Sequence, residues 1–135
     1  MKTFLGMALA ILAVCGLAVA QHSDYQAKAS VKDIMAKMVG PNNDQLREMQ
    51  ENGPQSEEDW AAARTAATIM AEAAQLLEMG GRSKDGVWSE TSKGLTSATG
   101  ALVAASDSKD VDAWKAALSD VGPTCQSCHE THRIR

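Results

Sequence analysis

"DVDAWKAALSDVGPTCQSCHETHR", residues 110–133, is the stretch whose reading decides the fold. Val111, Trp114, Leu118, Val121, Cys125, Cys128 and His132 recur at alternating spacings of three and four, the pattern of one buried stripe on a helix. The stripe runs straight through the cysteine pair, so the most reactive side chains belong to the inward face of a last helix that begins near Asp110. Gly122-Pro123 marks a point where that helix is expected to kink. On a helix, residues i, i+3 and i+4 share one face, and Cys125, Cys128 and His129 have that relation.

Working back from this helix, three more segments carry the same periodicity. One covers about Val87 to Ser106, with Trp88, Leu95, Ala98, Leu102 and Ala105 inward; Gly94 and Gly100 weaken it by about 1 kcal/mol each relative to Ala. Another starts at Ser56, with Asp59 three residues on as a weak capping box. Trp60, Ala63, Ala67, Met70, Ala74 and Leu77 face inward, and Gly80-Gly81 stops it. The first starts at Ser30, with Val31, Ile34, Met35 and Met38 on one face. Gly40-Pro41 is expected to interrupt it, and Asn43 to Gln50 to resume it through Leu46 and Met49. Helices of about 20–24 residues, each roughly 30–36 Å long, joined by short connections predict an all-α, antiparallel (up-down-up-down) four-helix bundle.

The first twenty residues are expected to be a signal peptide. Lys2 precedes an apolar run from Phe4 to Leu17, too short to span a bilayer comfortably, and Ala18-Val19-Ala20 offers a cleavage site. Cys15 raises a lipid-anchored alternative, but Val14 before it is larger than such sites favour. Residues 21–29 read as a flexible polar lead-in, and 30–135 as one domain. The formal charge of −4 becomes −5 once Lys2 is removed. That balance argues against a nucleic-acid partner and suits an exported, periplasmic protein with no membrane insertion after signal removal.

Two thiols and an imidazole on one helical face suit c-type haem, with two thioethers and one axial nitrogen. A redox Cys-x-x-Cys pair belongs at a helix start after a strand, and no strand is visible. A zinc site from Cys125, Cys128, His129 and His132 has enough ligands, but four ligands from eight consecutive residues crowd a tetrahedron. A disulfide leaves the histidine unexplained. Past residue 20 the aromatic side chains are Tyr25, Trp60, Trp88 and Trp114, a sparse set that fits an interior partly filled by a cofactor.

Residues 130–135 contain no Met, so a methionine ligand must come from an earlier helix. In an up-down-up-down bundle the last helix ends level with the start of the first, the end of the second and the start of the third. The haem layer is therefore expected to hold Met35 or Met38, Leu77 or Met79, and Trp88.

"DVGPTCQSCHETHR" (120–133) and "SVKDIMAKM" (30–38) together resemble the class II c-type cytochromes, the cytochrome c′ family, over essentially all of the chain past residue 20. The resemblance implies one covalently attached haem c on Cys125 and Cys128, with His129 as axial ligand. It places Met35 at the sixth iron position and Met38 at a frequent neighbouring Met, which implies the low-spin, six-coordinate branch. Three departures stand out. His132 replaces an aromatic residue. Val31 stands where an Arg near a propionate is typical, which turns attention to Lys32 and Lys28. Gly40-Pro41 breaks a usually continuous helix.

The function implied is single-electron transfer between redox protein partners rather than enzymatic turnover, for which no distal acid–base pair is visible. The haem edge is expected near Arg133 and Arg135, a basic rim able to orient against an acidic partner. The alternative is a five-coordinate protein binding nitric oxide or carbon monoxide, which requires Met35 to be off the iron. Homodimer formation through the first two helices is a further expectation from the same resemblance.

Overall fold

The computed structural model of the protein describes residues 25–84 and 86–133; the signal segment read at residues 1–20 lies outside the described residues. Four helices follow one another without a strand among the described residues. Helix α1 is composite: Val31–Ile34 is α-helical, Met35–Val39 is π-helical and Gly40–Glu48 is α-helical again. Helices α2, α3 and α4 span Glu57–Leu76, Val87–Ser108 and Val111–His132.

Local chemistry explains where each begins. Ser30 and Ser56 each accept a hydrogen bond from the backbone N–H three residues on. The Asp33 and Asp59 carboxylates accept in turn from the N–H groups of Ser30 and Ser56, so both starts are complete capping boxes. The Asp110 carboxylate accepts from Ala113 N at 2.9 Å and caps α4. The α3–α4 link is only Lys109 and Asp110, and such a tight reversal needs a left-handed residue. Lys109 supplies it at φ 54, while Asp110 N donates back to Ala105 O at 3.0 Å.

The first helix departs from the expected interruption at Gly40-Pro41. The chain does not leave the helix there; it widens for one turn. Gly40 N donates five residues back to Met35 O, and Asn42 donates its side-chain amide to Met38 O at 2.7 Å. A proline inside a helix clashes with the carbonyl four residues earlier, and a π turn displaces that carbonyl. Glycine suits the position because a Cβ at residue 40 would lie 3.1 Å from Met35 O. The wider turn also shifts the face: Ile34 and Val39, five apart, are buried, while Met35 and Met38 are half-buried. Pro123, in contrast, is carried inside α4 with no break in the helix.

Helix α3 packs between α2 and α4, and α1 packs on α2; no comparable face joins α1 to α4. Along α2 the inward positions are mostly alanines, with Ala63, Ala66, Ala67, Ala73 and Ala74 fully buried, which lets the helices approach closely. Trp114, Ile34, Leu46, Met70 and Leu102 fill the space between them. Every inward position read from the sequence on α2 and α3 is buried.

Candidate functional site

The last two turns of α4 carry Cys125, Cys128 and His129 on one side, as their spacing requires. Both thiols are unbridged and half-buried, and the His129 ring is exposed. Burial, and after it the neighbouring Cys128, raises the Cys125 thiol above its ordinary pKa, so it remains a neutral thiol at neutral pH.

These residues face an open cleft of about 360 Å³, counting its mouth, walled by all four helices. Met35 and Val39 come from the π turn, Leu77 from the end of α2, and Thr91, Ser92 and Leu95 from α3. Thr124, Cys125, Cys128 and His129 come from α4. The cleft lies where the first and last helices fail to close on each other, and the π turn presents Met35 to it.

Of the alternatives left open by bundle geometry, Met35 rather than Met38 and Leu77 rather than Met79 line the cleft. Met38 packs at the edge of the core and Met79 is exposed. Trp88 is buried behind the cleft wall. Its indole N–H donates to Leu77 O at 3.1 Å, and its ring meets His132 edge-on at 5.3 Å. Lys84 Nζ stands 5.0 Å over the same indole. Lys32 and Arg133 are exposed and do not line the cleft.

Sequence reasoning missed Ser92, Thr91, Thr124 and Val39 at this cleft. Ser92 carried a readable signal. It falls four after Trp88 and three before Leu95, so a small polar residue interrupts an apolar stripe. Its hydroxyl is buried without a hydrogen-bond partner, and so is His132 Nε2. Such atoms in a native site call for an explanation.

Residues 26–133 match the model of the family described as Cytochrome C′. The chain belongs to the cytochrome c′ family. No curated protein and no solved structure gives a significant match. Membership in the cytochrome c′ family implies covalently bound haem c, and the residues of this chain fit such a group. Two free thiols line the cleft together with apolar Met35, Val39, Leu77 and Leu95, the exposed His129 imidazole lines it too, and Ser92 Oγ lacks a protein partner. Among the described residues no helix is long and apolar enough to cross a membrane.

Proposed function

We propose that the protein is an exported monohaem electron-transfer cytochrome of the six-coordinate kind. One observation carries the reading: Met35 lines the same cleft as Cys125, Cys128 and His129, from the opposite end of the chain. Bound there, haem supplies a one-electron iron couple, and a Met ligand raises its potential relative to other ligand sets.

The chain's own residues do the rest. The Cys125 and Cys128 thiols would hold a haem covalently through two thioether links, and the His129 imidazole and the Met35 thioether would bind its iron. Val39, Leu77 and Leu95 give the cleft an apolar lining that would shield a bound haem from water. An iron held by both His129 and Met35, on helices of one bundle, would need little rearrangement when its charge changes. The partner is a redox protein, met through the end of α4 where Arg133 is exposed.

A pyridine haemochrome spectrum tests the cofactor, and the oxidised spectrum tests the ligands. The expected result is a low-spin spectrum that Met35→Ala converts to high-spin. A low-spin spectrum unchanged in Met35→Ala rules out the ligand assignment. A high-spin wild type supports the five-coordinate alternative, a nitric oxide or carbon monoxide binder.

A further inference from the structure

Arg82 lies in the loop between α2 and α3. Its neighbours Gly80, Gly81, Ser83 and Lys84 are exposed, yet Arg82 is only 8% exposed. Burying a guanidinium is costly unless its N–H groups are satisfied. Here they are satisfied by main-chain carbonyls from two separate parts of the chain. Nε and Nη2 both donate to Ala29 O, at 3.0 and 2.7 Å. Nη1 donates to Leu76 O at 3.0 Å and Met79 O at 3.3 Å. The latter two carbonyls sit at the end of α2, where the helix dipole favours a cation.

A second contact of the same interface sets the guanidinium against an aromatic ring. The Tyr25 ring lies 5.8 Å from Arg82 Cζ. The chain before α1 also presses on Gly80, where a Cβ would fall 2.8 Å from Ala27 Cβ and 2.9 Å from Tyr25 Cε1. The segment ahead of α1 is thus docked on the loop that follows α2.

We propose that Arg82 is a positioning residue for the sixth iron ligand, holding the start of α1 against the end of α2 and so setting where Met35 stands in the cleft. The inference rests on the reading of Met35 as an axial ligand. Ala29, which Arg82 grips, immediately precedes the Ser30 cap. One α-helical turn, anchored by fully buried Ile34, then leads to Met35. On the other side, Leu76 is followed by Leu77, which lines the same cleft. One side chain therefore ties together two walls of the site. The tie matters because α1 has no close packing against α4 to hold it. A lysine cannot replace it, since a single ammonium does not reproduce the planar fork.

The test uses the haem-loaded protein as wild type, Arg82→Lys, Arg82→Ala and Leu46→Ala, the last a core change remote from Arg82 in sequence. Two readouts are taken: the low-spin to high-spin ratio of the oxidised spectrum, and hydrogen exchange over residues 31–39. Both Arg82 variants are expected to lower the ratio about tenfold, as loss of a charged hydrogen bond would, and to speed exchange in that segment. Leu46→Ala is expected to stay low-spin until it unfolds. Should Arg82→Ala fail to fold, Arg82→Lys, which keeps the charge, carries the comparison. A low-spin, Met35-dependent wild type with unchanged Arg82 variants overturns this inference alone. A high-spin wild type overturns it together with the ligand assignment.

Discussion

The alanine-packed stretch of the bundle and its cleft are built from the same four helices in opposite ways. Between α2, α3 and α4, Met70, Leu102 and Trp114 are fully buried among alanines. Around the cleft, Met35, Cys125 and Cys128 are half-buried, His129 is exposed and Ser92 Oγ has no partner. The first region is packed by protein alone, although the buried Trp114 indole N–H has no partner there. The second is shaped for something the chain does not supply, so the two regions should respond to different perturbations.

The largest contrast is chemical. Replacing Cys125 and Cys128 together by serine should abolish covalent haem retention on a denaturing gel while leaving the far-ultraviolet helical signal of the folded apoprotein in place. Next comes the packed region. Leu102→Ala should cost about 2–5 kcal/mol in denaturant unfolding of both apo- and holoprotein, with no change in the position of the haem absorption bands. An equal cost from Met35→Ala in the apoprotein would break the distinction, because that side chain is already partly in water.

Caps give a smaller effect shared by both regions. Ser56→Ala should cost about 1 kcal/mol. It should also remove an acid-sensitive part of stability. The hydrogen bonds from Gln55 and Ser56 lower the Asp59 pKa, and those from Ser30 lower that of Asp33. A depressed folded pKa adds stability above the unfolded value of about 3.9, lost as pH falls through the folded one. Wild type should therefore lose more stability on acidification than Asp59→Asn, measured by urea unfolding across that range. The smallest change is a gain. Lys109→Gly relieves the left-handed backbone at φ 54 but loses the exposed pair with Glu57 at 2.7 Å. A net gain of about 0.5–1 kcal/mol in thermal unfolding is expected.

Much of this was legible from residue spacing. On α2 the six positions from Trp60 to Leu77 read as inward are all buried, because a helix surrounded by others repeats its contacts every three or four residues. The stripe of α4 likewise delivered Cys125 and Cys128 to one face, and the level of the chain ends named Met35 or Met38, Leu77 or Met79, and Trp88, of which Met35 and Leu77 line the cleft. Gly40-Pro41 misled because proline's local rule is to end a helix, whereas the π turn satisfies that rule without ending it. Arg82 was invisible for a different reason. An arginine in a polar loop looks solvated, and its acceptors, Ala29 O and Leu76 O, are main-chain atoms that no side-chain pattern records.

The sequence by itself determined the all-helical class, the order of the helices and the reactive triplet on the last one, since each follows from periodicity along a single segment. The tertiary structure alone decided which methionine lines the cleft, that α1 and α4 stay apart there, and that Arg82 bridges two of its walls. Those depend on where separate segments meet, and their contacts arise from packing between helices rather than from order along any one of them.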